Sequence, residues 1–586
     1  MNTRLGRGKV IGDACFLVAL CVARAEALPR YGPLEVSGNI SAQEEIRFNP
    51  DIDQLALVQQ RNTFKLRVDY QLLDGGRLIE RIDVPFIDRA KVFVLYRGVY
   101  DSVYDSTPGF EQRNIYGLPT GARLDQLSSG ERDSLKFENQ LREAYVDLNF
   151  KTLPLSFRLG RQQIVWGETD NFRMLDRVNA LDLTWHLQQE SWDELRTPYW
   201  MIKGLWDFDR IGPLSNAFVE FYWNPGDWTP AKRDFLPNPW SAPETDPIPF
   251  LVNVFHTITP LKNIQGKFFD GTTLFQQGDY VRDPIENSQV GVRFSGVTPQ
   301  GVQFTLNYFY QRFNGDDGTN AAAYAAVTDK ALAVAAVNRG ELPMVAIAPY
   351  VHTAGFSLNY AEEEHTATVY RMESIYEFGV PFTDSTKRFP KGAGTISSIN
   401  TVMGNDVFGV SKRDMWKGMI AFDRPTWIRP LNRKATVLIL GQFFWHYLLD
   451  NPNIECANGT PVGCGGAKNP QIKGFRGQFS SSGITSGGTP FIDKVRDWEV
   501  LTTLAATTFY RGGKIVPFLV YVLDPVNSYN MEVIGMVDYF LTNNLILNLS
   551  QRYFINTVSH PVFESWGVAG INRGRSETGI RLTYQF

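Results

Sequence analysis

From residue 34 onward the chain repeats one motif of composition, in which apolar and polar residues alternate over short stretches that end in turn residues. Phe64, Leu66, Val68 and Tyr70 alternate with Lys65, Arg67, Asp69 and Gln71. Val302, Phe304, Leu306, Tyr308 and Tyr310 alternate with Gln303, Thr305, Asn307 and Gln311, and Tyr370, Met372, Tyr376 and Phe378 alternate with Arg371, Glu373 and Glu377. Successive side chains of an extended strand point to opposite faces, so each stretch reads as a strand with one apolar and one polar face. The pattern predicts strands near 34–43, 64–73, 91–101, 141–151, 155–166, 199–207, 217–224, 289–297 and 302–312. It continues near 353–361, 367–379, 415–424, 435–449, 495–510, 514–524, 531–541, 545–556 and 577–586.

The connections alternate as well. Residues 151–154, 298–301, 362–366, 511–513 and 542–544 are short links, whereas 225–288, 313–352, 380–414, 450–494 and 557–576 are long. Short turns at one end and long loops at the other are the signature of an antiparallel barrel that spans an outer membrane. The expected fold is all-β: a transmembrane antiparallel β-barrel of about 18 strands (16–18), with both termini periplasmic and long extracellular loops. Three predicted periplasmic links, 74–90, 208–216 and 425–434, are longer than that rule favours. Residues Ala321 to Arg339, preceded by Asn320 and followed by Gly340, carry helix caps and an apolar line through Tyr324, Val327, Ala331 and Val334, which predicts one helix in a loop.

The chain ends on ETGIRLTYQF, a strict alternation in which Ile580, Leu582, Tyr584 and Phe586 share a face. In a barrel that face meets lipid, with Phe586 at the interface where aromatic residues form girdles. A terminal aromatic after alternating apolar residues resembles the assembly signal of bacterial outer-membrane proteins, which assigns Tyr584 and Phe586 to recognition by the assembly machinery.

At the other end, Arg4, Arg7 and Lys9 precede an apolar stretch over 15–23, and Ala25 and Ala27 fit a small-residue cleavage site. Residues 1–27 therefore read as a secretory signal peptide and 28–586 as the barrel. No later apolar run approaches the roughly 18 residues of a spanning helix, which excludes a helical membrane bundle. With 58 basic and 62 acidic residues the chain has no basic field for nucleic acid. Cys15 and Cys21 leave with the signal, so Cys456 and Cys464, inside a Gly- and Pro-rich stretch, are expected to form a loop disulfide. Residues 314–320 resemble a calcium loop in composition but lack its spacing and terminal Glu. None of the six histidines stands in a Ser/His or HExxH arrangement, and no Gly-rich phosphate loop occurs. No cofactor and no enzymatic activity are expected.

Transport remains. Polar positions facing the bore give pore candidates Lys65, Arg67, Asp69, Arg293, Arg371, Glu373, Glu377, Arg552 and Arg581. Later strands differ: over 435–447, 516–523 and 533–541 both faces carry large apolar residues, so part of the interior is apolar whichever register holds. A wide hydrophilic pore has no need of that, whereas a packed or plugged bore, or a greasy conduit, does.

A segment rich in distinctive residues follows the fifth predicted strand. It reads LGRQQIVWGE over 159–168 and DRVNALD over 176–182. Gly160 permits a bulge or a close approach inside the wall, and Arg161, Gln162, Trp166 and Glu168 are candidates for a fixed polar cluster, with Asn179 and Asp182 further along. These residues, with GFSLNY at 355–360, YRME at 370–373 and FDRPTWIRPLN at 422–432, resemble the DUF1302 family of Gram-negative proteins, although Ala180 stands where the pattern has Pro. The GRQ element is also similar to alginate-export barrels. The resemblance implies an outer-membrane location and a role in moving hydrophobic compounds alongside periplasmic lipid-carrier or efflux components. The expected function is a conduit for small hydrophobic or amphipathic compounds. A general polar-solute porin or polysaccharide exporter is the alternative, and an outer-membrane enzyme a minor one.

Overall fold

A computed structural model describes residues 32–49, 54–78, 82–107, 110, 133, 135–170, 172–182, 190–228, 285, 287–313, 323–326, 344–347, 349–388, 408–450, 453–455, 471–473, 498–525, 529–555 and 575–586. The signal peptide, Cys456, Cys464 and the calcium-like stretch 314–320 lie outside them.

Eighteen long strands form the wall. They are β1 Leu34–Asn49, β2 Gln54–Asp74, β3 Ile87–Asp101, β4 Phe137–Phe150, β5 Leu155–Gln162, β6 Tyr199–Ile211, β7 Leu214–Asn224, β8 Gln289–Val297 and β9 Gln303–Arg312. The second half comprises β10 Tyr350–Glu362, β11 Thr368–Arg388, β12 Phe408–Thr426, β13 Val437–Leu448, β14 Trp498–Thr507, β15 Ile515–Leu523, β16 Met531–Phe540, β17 Leu545–Ile555 and β18 Ser576–Gln585. Each pairs antiparallel with its neighbours in sequence, and β18 returns to β1, from Asn39 opposite Gln585 to Phe48 opposite Ser576. The sheet is therefore closed. Closure removes the edge whose unpaired N–H and C=O groups could not be satisfied in hydrocarbon.

The alternation seen in sequence is realised in space. Leu306, Ile420, Leu504, Leu519, Leu549 and Ile580 are half exposed on the outer face, where the surrounding solvent is lipid. Toward the long-loop end of β12–β14, Trp416, Trp445, Tyr447 and Trp498 make an aromatic cluster, with Tyr447 and Trp498 centroids 4.5 Å apart and Trp416 and Trp445 5.5 Å apart. Such rings, apolar in body and polar at the tip, suit a membrane interface. At the opposite end Phe586 exchanges backbone hydrogen bonds with Gly38 at 3.0 Å each way and stacks on Phe64, so the terminal residue sits on the closing seam.

Several expectations change in detail. The link 208–216 is a tight hairpin because β6 runs to Ile211 and β7 starts at Leu214. The link 74–90 contains a small ribbon, Arg77–Leu78 against Ile82–Asp83, and 425–434 is fastened by Asn432, whose Nδ2 donates to Thr508 Oγ1 at 2.9 Å. β1 and β2 extend well past the predicted 43 and 64, to Asn49 and back to Gln54. Of the helix expected over Ala321 to Arg339, residues 323–326 are extended, and the rest lies outside the described residues. Ala323–Ala326 is a strand paired with Met344–Ile347, a non-local partner that local helix propensity does not register. The described helical segments include the short Val103–Ser106 (α1) and Trp192–Leu195 (α2), and Arg511–Gly513 forms a 3-10 turn.

Candidate functional site in the barrel bore

The fifth strand ends at Gln162, four residues before the predicted end at 166. Gln162 faces Tyr199 in register, so the wall closes between β5 and β6 without the intervening residues 163–198. The described residues among them, 163–170, 172–182 and 190–198, turn into the bore.

Asn179 fastens the base of this inward fold. Fully buried, it accepts from Ile164 N–H at 2.8 Å and donates to Thr197 O at 2.8 Å and Gln162 O at 3.3 Å. Ala180 N–H donates to the Tyr199 hydroxyl at 3.3 Å, a bond that the proline of the family pattern could not make. Asp182 N–H donates to Leu195 O at 2.7 Å, and Leu181 bridges to Arg196. Gly160 has φ +137°, and a Cβ there would stand 2.2 Å from Ala144 O, so only glycine fits where β5 lies against β4.

Beyond the base, Ile164, Trp166, Met174, Leu175 and Val178 pack on the inward side chains Met201, Tyr222, Phe309, Ile375, Met419 and Phe444. This is a hydrophobic core inside a barrel, with each buried side chain contributing about 1.5–3 kcal/mol. Trp166 also donates its indole N–H to Glu220 Oε1 at 2.8 Å. Phe172 continues the cluster toward Ala505, Val520 and Val522, with Leu440, Phe518 and Ile534 beside them. The apolar interior expected of the later strands is here, on β13–β16.

Polar contacts fix the fold to opposite sides of the wall. On β11, Glu373 accepts from the backbone N–H of Glu168 and, at 3.0 Å, of Leu175. Arg371 donates to Glu168 O at 2.5 Å and to Asp170 at 2.6 Å, and also reaches Asp423 on β12 at 2.8 Å. Glu377 pairs with Arg177 at 2.5 Å and with Lys417 at 2.7 Å. Gln442 on β13 donates to Asp170 at 3.0 Å. Across the bore, Glu194 of α2 pairs with Lys65 on β2 and with Arg97 on β3 at 2.8 Å. Burial alone would raise the Glu194 carboxyl, but those two cations hold it down from its ordinary 4.5 to about 2. Arg142 on β4 donates to Asp193 O and Arg196 O at 2.7 Å each. The described residues of this fold, 163–170, 172–182 and 190–198, thus reach from β2–β4 to β11–β13.

The candidates named from sequence divide accordingly. Lys65, Arg371, Glu373 and Glu377 hold the inward fold. Arg67 and Asp69 pair with each other at 2.6 Å lower on the wall, Arg293 pairs with Glu220 at 2.8 Å, Arg552 with Glu532 at 2.6 Å, and Arg581 lies opposite Asn548 on the bore face. The expected side-chain cluster of Arg161, Gln162, Trp166 and Glu168 does not form. Arg161 shares the outer face with Leu159, Gln162 turns inward to donate to Met201 O at 2.9 Å, and Glu168 engages through its backbone. Sequence reasoning passed over Asp170, Asp176, Arg177, Glu194 and Lys417. Asp176 and Arg177 stand within the quoted motif, whereas Glu194 and Lys417 carry no local signal.

The fold and the bore define a membrane-spanning β-barrel whose interior is crossed by one of its own loops. The chain belongs to the family described as "Protein of unknown function (DUF1302)", whose model matches residues 77–496. None of the curated proteins compared matches it. Among solved structures the chain is similar to Acinetobacter baumannii OccAB2, with 10% identity over 94% of this chain and 98% of that one and a TM-score of 0.40. It is similar to a BenF-like porin from Pseudomonas fluorescens, with 9% identity, 94% and 98% coverage and a TM-score of 0.43. It is also similar to the Acinetobacter baumannii outer membrane channel DcaP, with 8% identity, 96% and 100% coverage and a TM-score of 0.35.

Proposed function

We propose that this protein is an outer-membrane channel that conducts small hydrophobic or amphipathic compounds, with its termini in the periplasm and its long loops outside. The observation that carries the proposal is the division of the bore into two arcs. Strands β13–β16 present Leu440, Phe444, Ala505, Phe518, Val520 and Ile534 inward, whereas β2–β8 present Lys65, Arg67, Lys91, Arg158, Lys203 and Arg293. An apolar compound moving through such a bore keeps one side on apolar wall and never depends on a continuous water column. The inward fold narrows the same bore, which limits leakage of small ions while cargo passes beside it or displaces it. The polar arc alone would suit a porin for polar solutes or a polysaccharide exporter, and that is the competing reading. The periplasmic partners in keeping with this role are lipid-carrier or efflux components that meet the short-turn end, and the role needs no catalysis.

Planar-bilayer recording together with dye uptake into liposomes tests the proposal. The expected result is little steady ion current with protein-dependent uptake of a neutral apolar dye. Large steady currents with no acceleration of the dye would overturn the proposal in favour of the porin.

A further inference from the structure

Below the inward fold, between Gln162 and the short turns, the bore wall holds a cavity of about 390 Å³ whose lining carries four cations, Arg89, Lys91, Arg158 and Lys203, and one carboxylate, Asp147. Its volume falls among ligand pockets, which span about 300–1,000 Å³. Four of these side chains form one register row around the wall: Lys91 faces Asp147, Asp147 faces Arg158, and Arg158 faces Lys203. Carboxylates on either side satisfy part of this charge. Asp69 takes Lys91 at 2.5 Å and Asp147 takes Arg158 at 2.7 Å. Arg89 is held loosely, 3.7 Å from both Asp74 and Asp88, and so is Lys203. The contact of Lys203 with Glu220 is 3.6 Å long, and Glu220 is already engaged by Arg293 at 2.8 Å and by the Trp166 indole at 2.8 Å. A lysine ammonium has three donors, so Lys203 keeps capacity for an incoming oxyanion beside the Arg158 fork.

The next row toward the inward fold is aromatic. Phe93 and Tyr145 stack with centroids 4.7 Å apart, Arg67 lies 5.0 Å over Phe93, and Arg158 lies 4.0 Å over Tyr145. The cavity is therefore cationic at one edge and bounded by flat apolar surface at the other, in a bore whose far arc is apolar.

We infer that this cavity binds the oxyanion head, carboxylate or phosphate, of an amphipathic cargo whose apolar body lies along the apolar part of the bore. The inference rests on the conduit reading and narrows its cargo to amphipathic anions. Dansyl-undecanoate and its methyl ester share a body and differ in the charge of the head. Titrated into the full-length protein in neutral detergent, the acid binds about tenfold more tightly than the ester, the ratio that one charge-assisted contact supports. Lys203→Gln abolishes most of that ratio and leaves ester binding unchanged, because Glu220 keeps Arg293. Arg158→Lys, which retains the charge and loses the fork, gives a smaller loss and serves where a neutral variant fails to fold.

Dodecyl phosphate and dodecanoate as competitors distinguish the two heads. Inorganic phosphate competing as well as dodecyl phosphate would overturn the amphipathic assignment. Equal binding of acid and ester, or an unchanged ratio in Lys203→Gln, would overturn the head site. Ester uptake into liposomes separates this from the wider reading: uptake with no preference for the acid refutes the head site alone, and no uptake of either compound refutes the conduit.

Discussion

Glu373 offers the sharpest test of how the inward fold is held. Its carboxylate is fully buried on β11 and accepts two backbone N–H groups of the fold, from Glu168 and Leu175. Hydrogen bonds to charged groups contribute about 1.5–3 kcal/mol each, so Glu373→Ala should weaken the docked state by roughly 3–6 kcal/mol. Glu373→Gln keeps the shape and one acceptor but turns an N–H toward a donor, for a loss of about 2–3 kcal/mol. The wall should be indifferent to either change, since Glu373 remains paired through its backbone with Ser357 on β10 and Met419 on β12. Hydrogen exchange followed by mass spectrometry reads the difference directly, because protection of an amide reports the free energy of its local opening. At about 1.4 kcal/mol per tenfold, amides of peptides covering 164–182 should exchange roughly a hundredfold to ten-thousandfold faster in Glu373→Ala, with peptides of β1, β17 and β18 unchanged. Unaltered exchange at Glu168 and Leu175 would refute the assignment of Glu373 as the anchor. Acceleration spread through the wall would mean instead that the carboxylate stabilises the barrel itself.

The remaining predictions follow from single contacts. Glu194, held at about 2 against an ordinary 4.5, contributes docking stability that is fully present above pH 4.5 and is lost as the pH falls toward 2; exchange at 190–196 should rise in that window and lose its pH dependence in Glu194→Gln. Gly160→Val places a side chain against Ala144 O at a φ that β-branched residues avoid, so the heat-modifiable barrel should be nearly absent; normal yield would show that β4 and β5 can shift apart. Phe586→Ala removes one ring from the seam, of order 2 kcal/mol, too little to unfold the finished barrel, and should lower the amount inserted in the membrane with only a small fall in the melting point of what inserts; normal yield with a lowered melting point would mean that the ring only packs.

How much of this was legible beforehand differs between the wall and the bore. Eighteen strands were readable from alternation and turn residues because the side-chain period of a strand is local: each residue's face follows from its neighbour's, and lipid outside makes the apolar face unmistakable. For the same reason Arg371, Glu373 and Glu377 could be placed inward, and the mixed faces of 435–447 and 516–523 announced an apolar interior. Strand ends were less legible. β5 stops at Gln162 even though residues 163–166 retain strand-like composition, since Ile164 and Trp166 find better burial inside the bore. What Ile164 and Trp166 meet there lies far away in the chain. Lys65 with Glu194 is separated by 129 residues, Glu168 with Glu373 by 205, and Gln442 with Asp170 by 272. Such partners are chosen by closure of the barrel, which sets which strands face each other across the bore. The sequence determined by itself the wall, its two faces and the chemistry each face presents. Only the tertiary structure decided that the described residues 163–170, 172–182 and 190–198 enter the interior and which charges meet there, because those contacts exist only once the eighteenth strand has returned to the first.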